Sequence, residues 1–325
     1  MARDLRVVMI GAGWIVPFHL AALDRLGRTT IVGVASARRE RAAAVAEPFG
    51  AAAGIDPIGM VDDLRPDAVW LCVPPFRAVS IGEALVDRGV PFLTEKPLAA
   101  TDAEGPARLA AAIERRGLVV AVGYHLRGVA GLGDVRDRIA GSAPLLVAGR
   151  WLDETPGPAW WRRVDQGGGQ VIEQATHLYD LGRHLVGEAE VAAARSIRRE
   201  PAVPRGADVA DGTTAILHYA NGAIGSFINS RRARRRLISL EIVTDAAHVS
   251  IDKASDAPGD WRVSMADGKG TRTLPGGRDP YEVQAEAFLD AVEARDPERT
   301  RCTYADALRT DRLTRAVVAA TGTTG

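Results

Sequence analysis

Cysteine is nearly missing from this 325-residue chain, which holds only Cys72 and Cys302. With so few, nothing suggests a disulfide framework or a zinc site, so no metal is expected and a reducing cytoplasm fits. Long apolar runs are missing too. None approaches the length that spans a bilayer, so no membrane partner is expected. Net charge is also missing: 41 Lys and Arg stand against 41 Asp and Glu, which argues against a general nucleic-acid or anionic-membrane binder. The start, Met1-Ala2-Arg3-Asp4-Leu5, enters a strand at once and leaves no room for a signal peptide. No repeat, long linker or low-complexity tract interrupts the chain. What is present suits an ordinary soluble protein, with 46% apolar residues over a length that predicts two domains.

The first half alternates apolar strands with helices, the pattern of a doubly wound parallel α/β sheet. Leu5 to Ile10 reads as a buried parallel strand, followed by Gly11-Ala12-Gly13 and a helix from about Trp14 to Leu26. Strand, glycine turn and helix in that order form the context of a dinucleotide fingerprint. The first glycine permits the turn, and the second lets the backbone approach a pyrophosphate resting on the helix N-terminus. The third fingerprint position is Val16, which implies a slightly wider helix–strand spacing. The second strand, Ile31 to Ala35, ends in Ser36-Ala37-Arg38-Arg39, with no carboxylate to bind a ribose 2′-hydroxyl. A hydroxyl and a guanidinium fork at that tip point to a 2′-phosphate, hence NADP; a solvated basic helix start is the other reading. Further strands are expected at Asp67–Val73, Val90–Leu93 and Leu118–Val122, with helices at about 76–88 and 101–117. Thr94-Glu95-Lys96-Pro97 therefore follows a strand and puts a lysine where open α/β sheets hold their ligands. A half-buried lysine can serve there as acid, base or point charge.

The second half reads mainly as strands, from Leu145–Trp151 to Thr271–Leu274, and consecutive hairpins such as the one at Asn221-Gly222 imply a mostly antiparallel sheet. A helix after Gly167-Gly168-Gly169 carries Glu173 and His177, four apart and so on one helical face, where they can hydrogen-bond. A carboxylate against imidazole fixes the tautomer, and with Lys96 the pair makes a proton-transfer set. Trp160 and Trp161 read either as an aromatic wall for a sugar ring or as a domain or subunit contact. The run Ser230-Arg231-Arg232-Ala233-Arg234-Arg235-Arg236 reads as a site for an anionic group such as a nucleotide-sugar diphosphate, or as a solvated strand connection; the second is the stronger reading.

Taken in order, Gly11-Ala12-Gly13-Trp14, Pro74-Pro75, Glu95-Lys96-Pro97, Gly123-Tyr124 with Arg127, and Gly167-Gly168-Gly169 with His177 and Asp180 resemble the Gfo/Idh/MocA family of oxidoreductases over nearly the whole chain. The resemblance implies α/β plus α+β architecture. A Rossmann dinucleotide-binding domain would cover residues 1–123. A substrate and oligomerisation domain would cover 124–325, built on a large, open, mostly antiparallel sheet and closed by helices at about 280–320. That sheet's exposed face implies a homo-oligomer. Carried over by position, Lys96 matches the lysine that contacts substrate and cofactor near the nicotinamide, and His177 matches the histidine that exchanges the substrate's hydroxyl proton. Glu173 falls where members have an acid, commonly Asp, and completes the catalytic set. Tyr124 and Arg127 match a segment lining the cleft, although Gly128 stands where an aromatic is usual; with Trp160, Trp161 and His177 they form the expected substrate side. The cofactor side is expected to use Gly11, Gly13, Trp14, Ile15, Ser36 and Arg38, together with Cys72, Pro74, Glu95 and Lys96. Ala78 stands where members often carry a histidine. The implied activity is NADP-dependent interconversion of a secondary alcohol and a ketone on a small-molecule substrate, a sugar, cyclitol or related polyhydroxylated compound, with NAD as the alternative cofactor. An imine, enone or dihydrodiol substrate is a second reading. A non-catalytic dinucleotide-binding regulator is a third, against which the retention of Lys96, Glu173 and His177 argues.

Overall fold

Alternating burial organises the first sheet. The computed structural model describes residues 4–255, 257 and 259–322. Strand β1 (Leu5–Ile10) sends Val7 and Met9 into one core and Val8 and Ile10 into another, all buried. Such a strand is covered on both faces and reads as a continuous apolar run. It is joined by β2 (Thr29–Ala35), β3 (Ala52–Gly54), β4 (Ala68–Leu71), β5 (Phe92–Thr94) and β6 (Val120–Val122) in the order β3-β2-β1-β4-β5-β6, every pair parallel. The helices between them are α1 (Val16–Leu26), α2 (Arg39–Ala46), α3 (Pro57–Leu64), α4 (Pro75–Asp87) and α5 (Gly105–Arg116). Helix α1 opens with a proline in its first turn and stops at Gly27, which takes the left-handed conformation at φ 60°. The strand order reverses between β1 and β4, the switch point at which open α/β sheets bind ligands. Strand β3 was not expected from the sequence, because its Ala-Ala-Gly carries no β-branched signal.

The second sheet follows α6 (Leu132–Ala140). Its first strand is β7 (Pro144–Leu152); α7 (Val164–Gly167) and α8 (Thr176–Val186) come next. Then come β8 (Ala189–Ile197), β9 (Gly212–Tyr219), β10 (Ile224–Ser230), β11 (Leu237–Thr244), β12 (His248–Lys253), β13 (Trp261–Asp267) and β14 (Gly270–Thr273). The order is β14-β13-β12-β11-β7-β10-β9-β8. Strand β7 lies antiparallel to β11 but parallel to β10, and the remaining pairs are antiparallel. The hairpin expected at Asn221-Gly222 joins β9 to β10, whereas β10 and β11, though consecutive in sequence, are separated by β7. One face of the sheet shares a core with α8, where Tyr179 stacks on Phe227 with ring centroids 4.5 Å apart. The opposite face exposes Leu146, Ile216, Ile224 and Ile228.

Two helices end the chain, α9 (Pro280–Ala294) and α10 (Tyr304–Ala320). Contacts divide the protein into two units: residues up to His125 with Tyr281–Leu308, and Leu126–Pro280 with the residues from Arg309 on. Most of α9 thus belongs with the first unit, whereas the sequence reading assigned both helices to the second. The reason is apolar burial. Ala285, Phe288 and Leu289 share a core with Val7, Met9 and Trp70, and Phe288 meets Trp70 edge-on at 5.1 Å. Burying Phe288 alone contributes about 1.5–3 kcal/mol. Among the described residues no helix is long and apolar enough to cross a membrane.

Candidate functional site

The glycine turn of the first unit is shaped by close approach. Gly11 follows β1 at φ 126°, its N–H donates to Ala35 O at 2.7 Å, and a Cβ there would lie 2.1 Å from Cys72 O. Only glycine fits. A Cβ on Gly13 would meet nothing within 4 Å, so the turn's backbone stays open just ahead of α1. That bare turn at a helix start is what a pyrophosphate needs, so the residues fit a dinucleotide. Trp14 is 71% exposed and tilts against Phe18, Ile15 is the half-buried N-cap of α1, and Val16 is accommodated fully buried in the core. At the tip of β2, Ser36 is half-buried and its Oγ accepts from Arg38 N at 3.5 Å. Arg38 is the extended N-cap of α2 and Arg39 its first helical residue, and both are exposed. Cys72 is buried, and burial followed by the Glu95 charge pushes its thiol pKa well up. Pro74 is the half-buried N-cap of α4.

Beyond β5 the chain buries Glu95 and leaves Lys96 half-buried, with a cis peptide to Pro97. Glu95 N donates to Leu71 O at 3.0 Å, and Glu95 Oε1 lies 2.8 Å from Nε2 of His19 on α1. Burial pushes the Glu95 pKa up, yet the His19 hydrogen bond and the charges of His19, Lys96 and His125 outweigh it and hold the carboxyl below its ordinary value. His19 is wholly buried. The sequence reading missed it; its one signal is an imidazole set into an apolar helix. Tyr124, expected on the substrate side, is instead packed into the core of the first unit with Leu98 and Tyr304 at 1% exposure.

In the second unit His177 lies near the start of α8, buried, with its ring stacked on Trp151 of β7 at 5.7 Å and 17°. Glu173 precedes it within Val171–Ala175, which is a π-helical turn rather than the α-helix expected. Its carboxylate accepts a hydrogen bond from Nε1 of Trp161, a partner the four-residue spacing to His177 did not indicate. Trp161 is itself 1% exposed and packs with Ala207 and Val209, with Trp160 partly buried against them. The aromatic-wall reading of Trp161 is therefore corrected, since its ring is core. Arg127 is corrected likewise. It is buried and donates from Nε and Nη2 to Asp180 at 2.8 and 2.6 Å; the Thr310 hydroxyl donates to the same carboxylate at 2.9 Å. Arg183 bonds Thr310 at 2.7 Å and forks onto Glu188 at 2.9 and 2.7 Å. A guanidinium buried this deeply needs a carboxylate, and Asp180 supplies it. The arginine run also divides: Arg231 is buried against Asp211 at 2.5 Å, Arg236 pairs with Asp153, and Arg234 and Arg235 are exposed.

Residues 5–124 match the family described as "Oxidoreductase family, NAD-binding Rossmann fold", and residues 143–250 match "GFO/IDH/MocA C-terminal domain". Myo-inositol 2-dehydrogenase of Thermotoga maritima is 22% identical over 307 residues, 90% of each chain. Two solved structures share the fold: levoglucosan dehydrogenase in complex with NADH and levoglucosan, and a 3-ketoreductase from Actinomadura kijaniata in complex with NADP and TDP-benzene. The first has TM-score 0.86 and 22% identity over 98% of this chain and 97% of that one; the second has TM-score 0.84 and 20% identity over 98% of both.

Proposed function

Because the chain belongs to the Gfo/Idh/MocA family of NAD(P)-binding oxidoreductases, we propose that it is an NADP-dependent enzyme interconverting a secondary alcohol and a ketone on a sugar, cyclitol or related polyhydroxylated molecule. The observation that carries this reading is Lys96, a half-buried ammonium directly after a buried carboxylate whose pKa is held down. Bound nicotinamide supplies or accepts the hydride. Lys96 donates a hydrogen bond to the substrate oxygen and stabilises the charge that develops there. His177 exchanges the hydroxyl proton, its ring plane set by Trp151. Glu173, oriented by Trp161, adds the negative charge that favours the protonated ring. Ser36 and Arg38 take the 2′-phosphate, and the absence of a carboxylate at that strand tip supports NADP over NAD. Relatives named for myo-inositol and levoglucosan support the substrate class. The exposed aliphatic face of the second sheet, including Leu146, Ile216 and Ile224, is proposed to bury against a second copy, and light scattering that reads a monomer would remove that part.

The test is absorbance at the nicotinamide band. NADP and NAD are offered with myo-inositol, levoglucosan and glucose, and NADPH with the corresponding ketones. Turnover on at least one polyol–ketone pair, faster with NADP, is expected. Tight NADPH binding with no turnover on any of them refutes the dehydrogenase reading.

A further inference from the structure

We propose that His19 is a positioning residue for Lys96, acting through Glu95; this rests on the reading of Lys96 as a catalytic group. Helix α1 brings the imidazole to the end of β5, where Nε2 meets Glu95 Oε1 at 2.8 Å with the histidine side chain wholly buried. The ring's other nitrogen, Nδ1, is buried with no hydrogen-bond partner among the described residues. A leucine would pack in that place without leaving a polar atom unmatched, so the imidazole is explained by its bond to Glu95 and not by packing. The ring's plane is set from the side: Tyr281 meets His19 edge-on at 5.3 Å while stacking flat on His125 at 4.3 Å and 12°.

Glu95 is gripped from other directions as well. A Cβ on Gly123 would fall 2.7 Å from Glu95 Oε1, so the carboxylate rests against bare backbone beyond β6. Glu95 N is bonded to Leu71 O, and Gly123 N donates to Thr94 O at 2.9 Å. The backbone, the glycine surface and the imidazole together leave the Glu95 side chain one place to lie. Lys96 is the next residue, and Glu95 feels its charge. Loosening the carboxylate therefore shifts both the origin of the Lys96 side chain and the fixed negative charge behind it.

Two near-isosteric variants separate this role from simple packing. The amide nitrogen of His19→Gln can occupy the place of Nε2, whereas that of His19→Asn can occupy only the place of Nδ1. Turnover is followed on whichever of myo-inositol, levoglucosan or glucose is oxidised fastest, and NADPH Kd by its fluorescence. His19→Asn is expected to lower kcat about 10- to 100-fold with KM and NADPH Kd within about threefold, as for other groups that orient a catalytic residue. His19→Gln should recover most of that loss, and Glu95→Gln combined with His19→Asn should be no worse than the poorer single variant. Hydrogen exchange of the ligand-free protein over Phe92–Lys96 should quicken in His19→Asn and return in His19→Gln. If Lys96→Ala is inactive while His19→Asn keeps wild-type kcat and exchange, the inference is overturned and the reading of Lys96 stands. If Lys96→Ala keeps full turnover, that reading falls and takes the inference with it.

Discussion

Replacing Arg127 by methionine distinguishes a substrate contact from a structural ion pair, and the structure sets the size of the effect. The side chains of Arg127 and Asp180 are 4% and 1% exposed and share two hydrogen bonds. Methionine keeps most of the stem but leaves the Asp180 carboxylate in the interior with the Thr310 hydroxyl as its remaining hydrogen-bond donor among those described above. Removing one partner of a buried pair costs about 3–5 kcal/mol, because the other charge stays desolvated. With an m value near 3 kcal/mol/M, the urea midpoint should fall by roughly 1–1.7 M. Tryptophan emission suits the measurement, since Trp151, Trp160, Trp161 and Trp261 all lie in the second unit. Arg127→Met combined with Asp180→Leu should lose less than the single change, about 1–3 kcal/mol, mostly from the unmatched Thr310 hydroxyl. An unchanged midpoint in Arg127→Met together with a tenfold rise in substrate KM would refute the argument and return Arg127 to the substrate side.

Three further outcomes follow from the two units. A charge-assisted bond from Arg38 to a 2′-phosphate contributes roughly 1.5–3 kcal/mol, so NADP should bind about ten- to a hundredfold tighter than NAD. Arg38→Ala should erase most of that preference and Ser36→Asp should reverse it; equal Kd values for both nucleotides in the wild type, with Arg38→Ala neutral, refute the phosphate pocket. His177→Asn should lower kcat by about 10²-fold or more and Glu173→Gln by less, since only the histidine is proposed to exchange the proton; the reverse ranking in steady-state assays would transfer that role to the carboxylate. The folded-state pKa of Glu95 lies below its ordinary value of 4.5, so its stabilisation is present above that value and is lost as pH falls through the folded pKa. The stability gap between wild type and Glu95→Gln in urea should therefore narrow below about pH 4.5, and a gap constant with pH would contradict an ionised Glu95.

The architecture was legible wherever a strand is buried on both faces or alternates cleanly. Leu5–Ile10 is apolar at most positions because α1 covers one side and α4 the other, and β9 alternates buried and exposed side chains from Thr213 to Tyr219. Two features were not legible, for different reasons. Strand β3 has three small residues whose place is set by β2 beside it, so no local signal marks it. The insertion of β7 between β10 and β11 is a matter of pairing partners, and hydrophobic alternation says which face a residue takes but not which strand lies next to it. Helix α9 illustrates the same limit at larger scale. The helix itself was expected from the sequence, while its assignment to the first unit depends on Phe288 meeting Trp70, more than two hundred residues away.

At the candidate site the sequence named the expected residues, and the structure adds partners that spacing does not show. Spacing put Glu173 and His177 on one helical face, and burial gives each of them a further neighbour. Glu173 lies in a π-helical turn and accepts from the indole of Trp161, and the ring of His177 stacks on Trp151. The same reasoning covers Arg127, whose charge is invisible as a structural element until Asp180 is seen opposite it. It covers His19 in reverse, because a histidine in an apolar helix looks like filler until Glu95 is found 2.8 Å away. In each case a buried polar group must find a partner or be excluded. Motif order can therefore name candidate residues, while the buried groups that touch them come from any distance along the chain. His19 beside Glu95 and Trp161 beside Glu173 are where the geometry adds most to what the sequence says.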